Sequence, residues 1–279
     1  MTSTLGSSEY QSSTCRAARR YSTYRAASRG LSHPADTVGS MISWHELPRA
    51  AFDLETTGRD PLEARIVTAS IILVDGAGQP LQQHEWLVDP GIEIPLEASA
   101  IHGVTTEQAR FGGQRSVDAV AEISSVLGGF FAAGVPVIAF NASYDFTVLK
   151  SECDRHGLPG CPARPVIDPF VLDKQVDRYR RGKRTLTALS FLYGVRLDAA
   201  HTSAADALAA IGVADALAAK YSELRMDPKE LHDAQIGWCA RQAAGLQQWL
   251  RRTNPDASVD GRWPLIEAGE PVPVIAAGR

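Results

Sequence analysis

The sequence has no long hydrophobic segment, no clustered cysteines and no excess of positive charge. No uninterrupted apolar run approaches the roughly 18–20 residues of a membrane-spanning helix, so we expect no membrane association. The four cysteines form no C-x-x-C pair and no zinc-binding spacing with histidine, which favours a reducing compartment and a cytoplasmic protein. The net charge of −4 excludes a basic nucleic-acid binder of the histone type.

An acidic chain is nevertheless compatible with an enzyme that acts on nucleic acid. A site that holds metal ions takes its positive charge from the metal, so its own side chains are acidic. The apolar fraction of 44% and the charged fraction of 22% are those of an ordinary globular protein. A chain of 279 residues is long enough for one substantial domain with appendages.

Residues 1–40 differ in composition from the rest of the chain. They contain five arginines and no lysine against Glu9 and Asp36, which gives a net charge of +3. The segment lacks the apolar core of a secretory signal. Its composition fits a disordered arm, an over-long reading frame whose true start is Met41, or an organellar transit peptide.

From Ala50 onward the hydrophobic pattern predicts an α/β fold. Strands are expected at Ala50–Glu55, Ile66–Val74, His84–Val88, Val137–Phe140 and Pro165–Asp168, and helices at Val117–Phe131, Tyr144–His156, Thr185–Tyr193 and Ala204–Tyr221. Asp227 and Pro228 open a further helix that runs to about Arg252. This order implies a mixed five-stranded sheet with helices on both faces. We divide the chain into a domain at 41–222, a helix packed on it at 223–253 and an irregular tail at 254–279.

Asp53 and Glu55 lie two residues apart in the first predicted strand. Residues at that spacing project from one face of a strand, while Phe52 and Leu54 face the other way. Two unpaired carboxylates side by side repel, and burying them is costly unless a divalent cation binds both. Because exposed strands also alternate charged and apolar residues, the pair alone leaves a metal site and a chance alternation open.

Two further acids and a histidine lie where a metal site would need them. Asp145 follows the predicted strand 137–140 at the start of a helix, where α/β proteins place functional groups. Asp206 lies in the first turn of an alanine-rich helix that we expect to pack closely, with His201 on the loop before it and Ser203 as its cap. Taken alone, Asp145 is better explained by the positive end of its helix, and Asp206 is explained by it as well as by a metal site.

Together these stretches resemble the motifs of the DEDDh branch of the DnaQ-like 3′→5′ exonuclease superfamily, to which the epsilon subunit of bacterial DNA polymerase III belongs. The first motif, Phe52-Asp53-Leu54-Glu55-Thr56-Thr57-Gly58, matches the family pattern at every position. The second, Asn141-x-x-Tyr144-Asp145, carries Tyr where Phe is commoner.

The third motif places Asp206 five positions after His201, the spacing of the DEDDh branch, with Ser203 where Ala is usual. The segment Ile101-His102-Gly103-Val104 also resembles the family's connection after the third strand. The resemblance extends over about 47–221 and implies a ribonuclease H-like fold.

The resemblance implies that the chain hydrolyses phosphodiester bonds at a free 3′ end and releases 5′-mononucleotides, using two divalent ions, Mg²⁺ or Mn²⁺. It implies that Asp53, Glu55 and Asp206 hold the ion on the side of the attacking water. Asp53 would bridge to the second ion, which Asp145 would bind through water. His201 is implied as the general base, a role suited to imidazole.

Substrate contacts are also implied. Thr56, Thr57 and His102 would touch the terminal nucleotide, and we assign Tyr144 to substrate binding as well. The basic run 178–184 is a candidate to follow a phosphate backbone through Arg180 and Arg181, although a solvated loop explains it equally well.

The expected substrate is a nucleic acid with a free 3′ end, with single-stranded DNA or a primer terminus favoured, and a replication or repair protein is a possible partner. An enzyme that trims RNA 3′ ends is one alternative, and a non-catalytic nucleic-acid-binding module is another. The full set of site residues argues against the second alternative, because a non-catalytic module has little use for clustered negative charge.

Overall fold

The computed structural model describes residues 43–197 and 200–267. The arm predicted at residues 1–40, the alternative start at Met41 and the end of the tail, from residue 268, lie outside the described residues. Near the start of the described range, the indole N–H of Trp44 donates to the carbonyl of Leu224 at 2.9 Å. This bond connects the segment before the first strand with the segment before the last helix.

A mixed β-sheet lies at the centre of the described residues. Its strands are β1 (Arg49–Thr56), β2 (Ile66–Val74), β3 (Pro80–Asp89), β4 (Gln114–Arg115), β5 (Val137–Ile138) and β6 (Val166–Ile167). They lie in the order β4-β3-β2-β1-β5-β6. The first three strands pair antiparallel through short connections, whereas β5 and β6 join in parallel after helical crossovers.

Helices cover both faces of the sheet. They are α1 (Leu96–His102), α2 (Thr106–Gly112), α3 (Ser116–Ala132), α4 (Ala142–His156), α5 (Pro169–Val176), α6 (Leu186–Tyr193), α7 (Ser203–Lys220) and α8 (Pro228–Leu250). Apolar residues of α3 and α4 pack on one face and those of α6 and α7 on the other, while α5 contributes Val171 to the first core and Leu172 to the second. The predicted mixed sheet with helices on both faces is confirmed. Within the described residues it has six strands rather than five, because the two-residue β4 extends one edge.

The side chains of β1 alternate between these two faces. Phe52 and Leu54 are buried in the core under α3 and α4, whereas Ala51 belongs to the core under α6 and α7. Because successive side chains of a strand point to opposite faces, Asp53 and Glu55 share the face of Ala51. The strand therefore directs both carboxylates toward the layer that contains α7.

Small side chains allow α7 to lie close to the sheet. Ala207, Ala210 and Ala214 are buried, and the helix packs directly on β1 and β2. The close packing expected from its alanine content is confirmed. It brings the first turn of α7 beside the end of β1.

Every strand and helix predicted from the sequence is present. The largest difference is at β3, which begins at Pro80 rather than at the predicted His84. The earlier start was not predicted, because the first half of the strand is polar and mostly exposed and shows no alternation of apolar residues. Helices α1, α2 and α5 were not predicted. Each has only seven or eight residues and at most four apolar ones, whereas the equally short α6, which was predicted, has six apolar residues of eight.

The C-terminal helix α8 packs against β6 and α5. Asp227 caps it as predicted, because its side chain accepts from the backbone N–H groups of Lys229 and Glu230. Residues 254–267 form neither helix nor strand, yet Trp263 within them is buried. The division into segments at 41–222, 223–253 and 254–279 stays a prediction. Among the helices described, none has the length and hydropathy that crossing a membrane requires.

Candidate active site

Three carboxylates meet where β1 ends and α7 begins. Asp53 and Glu55 come from β1 and Asp206 from the first turn of α7, and one oxygen of each lies within 4.8 Å of the other two. A cluster that offers only carboxylate oxygens suits a hard divalent cation such as Mg²⁺ or Mn²⁺.

Burial and mutual repulsion act on this cluster in the same direction. Burial raises the pKa of Asp53 well above its ordinary value, and the neighbouring carboxylates raise it further. Burial raises the pKa of Glu55 to about 7, with Asp206 adding to the effect. The pKa of Asp206 is also raised by burial, partly offset by the backbone N–H and the imidazole of His201. Without a cation the cluster therefore holds protons that free carboxylic acids would lose.

Asp145 is bound to the backbone of β1. It is buried in the first turn of α4, and its Oδ1 accepts from the backbone N–H of Leu54 at 3.1 Å. Burial raises its pKa well above the ordinary value, and the charges of Asp168 and Glu55 raise it further. Asp145 thus feels the charge of the cluster while its side chain is held by the strand that carries Asp53 and Glu55.

His201 lies on the loop just before α7, and it is exposed. Its φ of 72° is in the left-handed region, which non-glycine residues seldom adopt. Its backbone N–H donates to Oδ2 of Asp206 at 3.3 Å. The backbone of the predicted general base is therefore attached to one of the predicted metal ligands.

Ser203 does not cap α7, contrary to the sequence interpretation. The capping position is Thr202, and Ser203 is the first helical residue. Its Oγ lies 2.8 Å from Oγ of Ser70 and accepts from Oγ1 of Thr68 at 3.3 Å, both on β2. The hydroxyl is thus used to attach the helix to the sheet.

Four residues predicted to bind the substrate surround the end of β1. Thr56 Oγ1 donates to the carbonyl of Gly58 at 3.0 Å, and the hydroxyl of Tyr144 contacts both Thr56 Oγ1 and that carbonyl. Thr57 Oγ1 accepts from the backbone N–H of Arg65 at 3.0 Å. These bonds hold the turn that follows the first motif.

His102 reaches the same place from the C-terminal end of α1. Its Nδ1 accepts from the backbone N–H of Val104 at 3.2 Å. Burial lowers the pKa of this imidazole, and the backbone of Thr56 partly offsets the effect, so His102 and Thr56 are neighbours. Nε2 of His102 is enclosed and forms no hydrogen bond of normal geometry with the described residues. The predicted substrate contacts of Thr56, Thr57, Tyr144 and His102 stay predictions.

Arg180 and Arg181 have different surroundings. Arg180 donates to Oδ2 of the fully buried Asp173 at 2.9 Å, and Arg184 forms an ion pair with the same oxygen. Arg181, in contrast, is exposed. Their predicted phosphate contacts stay predictions, but Arg180 also neutralises a buried charge of the fold.

One residue close to the site was missed from the sequence. Asp168 is buried, and its two oxygens accept from the backbone N–H groups of Asn141 and Ala142, each at 2.9 Å, at the start of the helix that carries Asp145. The signal was available, because Asp168 followed by Pro169 has the same helix-opening pattern as Asp227 followed by Pro228.

The chain matches the family model RNase_T, described as Exonuclease, over residues 50–214. Curated relatives include DNA polymerase III PolC-type of Streptococcus thermophilus, 26% identical over 163 residues that cover 58% of this chain and 10% of the relative. The DNA polymerase III subunit epsilon of Treponema pallidum is 28% identical over 162 residues, 56% of this chain and 70% of the relative. The match thus spans only about a tenth of the PolC-type relative.

Solved structures of exonuclease I from E. coli have a similar fold. The complex with a dA16 oligonucleotide has a TM-score of 0.54 at 18% identity, over 64% of this chain and 42% of exonuclease I. The zinc-ion-bound form of the complex with single-stranded DNA has a TM-score of 0.53 at the same identity and coverage. This likeness establishes the fold and confirms the ribonuclease H-like class expected from the sequence.

Proposed function

Because this chain belongs to the exonuclease family whose model matches residues 50–214, we propose that it is a metal-dependent 3′→5′ exonuclease. It hydrolyses the phosphodiester bond at the 3′ end of a nucleic acid, with DNA the favoured substrate, and releases 5′-mononucleotides. The observation that carries this proposal is the convergence of Asp53, Glu55 and Asp206 within 4.8 Å, on elements far apart in the sequence.

The residues of this cluster fit divalent cations. Their donors are all carboxylate oxygens, and a cation would replace the protons that burial and repulsion retain on Asp53 and Glu55. We assign Asp53, Glu55 and Asp206 to one Mg²⁺ or Mn²⁺, which their carboxylate oxygens would hold, and Asp53 and Asp145 would hold a second. When bound, such ions supply Lewis-acid chemistry to phosphodiester hydrolysis.

His201 is the proposed general base. It takes up the proton that the attacking water loses, and imidazole is the side chain that does this most readily near neutral pH. One hydrogen bond and one electrostatic effect support the assignment. The backbone N–H of His201 donates to Asp206, and its imidazole lowers the pKa of the same carboxyl group. His201 therefore belongs beside the cluster, on an exposed loop open to substrate.

The terminal nucleotide would bind at the end of β1. Four residues with polar side-chain groups lie there, next to the carboxylates: Thr56, Thr57, Tyr144 and His102. Arg181 is the proposed contact for the phosphate backbone of the nucleic acid, further from its 3′ end, because Arg181 is exposed, whereas Arg180 is paired with Asp173.

We infer the partners from the same comparisons and the location from the cysteines. The relatives named as DNA polymerase III subunits suggest a replication or repair protein as partner, and the oligonucleotide complexes of exonuclease I suggest single-stranded DNA as substrate. Free thiols at Cys153, Cys161 and Cys239 fit a reducing compartment, which supports a cytoplasmic location.

The proposal is tested with labelled oligonucleotides. Single-stranded DNA, a mismatched primer–template and a short RNA, each labelled at the 5′ or the 3′ end, are incubated with Mg²⁺, Mn²⁺ or excess chelator. We expect 5′-labelled DNA to shorten stepwise and 3′-labelled DNA to release a labelled mononucleotide at once, in the presence of metal only.

Turnover in excess chelator would contradict the metal assignment, and shortening from the 5′ end would contradict the polarity. Faster hydrolysis of the RNA would reassign the substrate to RNA 3′ ends. Metal that raises Tm without any turnover on these substrates would favour the non-catalytic alternative.

A further inference from the structure

Asp168 is a buried carboxylate that accepts four hydrogen bonds. Oδ1 accepts from the backbone N–H groups of Phe170 and Asn141, both at 2.9 Å. Oδ2 accepts from the backbone N–H of Ala142 at 2.9 Å and from the indole N–H of Trp263 at 3.3 Å. With both oxygens occupied, the carboxylate holds its donors in one arrangement.

Two of these donors open the helix that carries Asp145. Asn141 precedes α4 with a φ of 62°, a left-handed conformation that persists in non-glycine residues only where the surroundings impose it. Asp168 imposes it, because the carboxylate binds the N–H groups of both Asn141 and Ala142. The first turn of α4 is thereby fixed, and Asp145 lies in that turn with its Oδ1 bound to the N–H of Leu54 at 3.1 Å.

The fourth donor belongs to the C-terminal segment, outside the family match at 50–214. Trp263 is 5% exposed, and its ring packs against His232 with 5.0 Å between centroids. Further along, the backbone N–H of Ile266 donates to Oγ1 of the buried Thr147 in α4 at 2.9 Å. The segment 263–266 therefore contacts α4 directly and also acts on its first turn through Asp168.

We propose that Asp168 is a positioning residue for Asp145, and that the segment 263–266 completes this arrangement from the C-terminal side. The inference rests on the proposed function, because it takes Asp145 as a group that holds a metal ion. Loss of the Trp263 donor leaves Asp168 with three partners and loosens the turn on which Asp145 lies. Residues outside the shared exonuclease region then contribute to the rate.

Trp263→Phe is the first test, because it keeps an aromatic ring against His232 and removes the N–H, together with the smaller volume that every Trp→Phe change brings. Trp86→Phe is the matched control. Trp86 is 6% exposed, and its indole N–H donates to a carboxylate oxygen of Glu122 on α3 at 3.0 Å, in a pair that does not include Asp168 or α4. Both variants lose one indole–carboxylate bond, but only one of the two bonds is connected to Asp145.

We expect Trp263→Phe to lower kcat about threefold, the lower end of what one hydrogen bond contributes, with an unchanged KM for the oligonucleotide. Backbone amides 141–145 should exchange faster with deuterium, and Mn²⁺ should raise Tm less than in the wild type. Trp86→Phe should lose comparable stability in chelator while keeping the wild-type kcat and the wild-type exchange at 141–145.

Asp168→Asn is the stronger variant, because an amide group turns one acceptor oxygen into a donor that faces N–H groups. We expect kcat to fall about 10- to 100-fold, as is typical when a group that orients a metal ligand is changed. If this variant does not fold, Trp263→Phe still tests the proposal.

Three outcomes separate the possibilities. The first outcome is that Trp263→Phe keeps the wild-type kcat and amide exchange while Asp145→Asn is inactive. It would overturn the positioning role and leave the proposed function intact. Equal losses of kcat in Trp263→Phe and Trp86→Phe would also overturn it, because general destabilisation would then explain both. Wild-type turnover in Asp145→Asn would overturn the metal role of Asp145, and the positioning role with it.

Discussion

Ser203 Oγ lies 2.8 Å from Oγ of Ser70, and Ser70 is the cross-strand partner of Asp53 in the β1–β2 pair. Thr68, which donates to the same Ser203 oxygen at 3.3 Å, is the partner of Glu55. The first residue of α7 is therefore bound to the strand that lies beside both carboxylates, and Asp206 follows within the same helical turn. This hydroxyl cluster links the two chain segments that form the acidic site.

Ser203→Ala tests the contribution of this hydroxyl cluster. We expect the free energy of unfolding to fall by about 1 kcal/mol, because a buried hydrogen bond is lost. Tm should fall by about 2–4 °C, with the rise in Tm caused by Mg²⁺ preserved, since the motifs that this chain resembles usually carry Ala here. Ser190→Ala is the control, because Ser190 Oγ is buried without a hydrogen-bond partner among the described residues. Equal losses in both variants would show that the Ser203 hydroxyl contributes nothing specific.

Asp53→Asn should separate stability from activity. Burial and three neighbouring carboxylates raise the pKa of Asp53, so the folded protein has to hold a proton there or tolerate a buried charge, and an amide requires neither. We expect a higher Tm in chelator, a smaller rise in Tm with Mg²⁺ and turnover reduced to background. Glu63→Gln, which neutralises an exposed carboxylate, should change none of the three. An Asp53→Asn protein with wild-type turnover would remove this residue from the metal site.

The raised pKa of Glu55 predicts how the stability of the metal-free protein depends on pH. Burial and Asp206 raise its pKa from 4.5 to about 7, so between these values the folded state keeps a proton that the unfolded state loses. Its stabilising contribution is complete below pH 4.5 and is lost as the pH rises through 7. In chelator, Glu55→Gln should gain stability relative to the wild type across this range, measured as the difference in Tm. A difference that does not change with pH would contradict the raised pKa.

Much of this site could be predicted from the sequence, because its parts are local patterns. Alternation in β1 placed Asp53 and Glu55 on one face, and the alanine content of α7 indicated its close approach to the sheet. These properties depend on residues a few positions apart, so a short window of sequence contains them.

The pairings that were missed depend on how the chain packs, whether the partners are near or far apart in the sequence. Trp263 reaches Asp168 across 95 positions, and the composition of the tail indicates only irregular structure. The basic run 178–184 could be counted as charge, but that Asp173, seven positions before Arg180, is buried and pairs with it depends on how α5 packs. Pairing across the fold is set by tertiary packing, which no local pattern reports.

His201→Ala should lower the rate about 10²- to 10⁴-fold, the range for loss of a general base, while the rise in Tm with Mg²⁺ is retained. Because φ at this position is 72°, alanine keeps the backbone strain that histidine already has here. His201→Gly relieves that strain and still lacks the imidazole, so both variants should be equally slow. Recovery of the rate in the glycine variant would mean that the loop conformation, and not proton transfer, depends on His201.

Reversing the charge of Arg181 should change DNA binding, whereas reversing the charge of Arg180 should change stability. Arg181 is exposed, so Arg181→Glu should leave Tm unchanged and reduce the slope of log affinity for single-stranded DNA against log salt by about 1, because one phosphate is no longer neutralised. Arg180 pairs with the fully buried Asp173, so Arg180→Glu should lower the free energy of unfolding by about 3 kcal/mol. Filter binding at several salt concentrations and thermal melts measure the two effects. An unchanged salt slope in Arg181→Glu would show that this segment is a solvated loop and does not follow the nucleic acid.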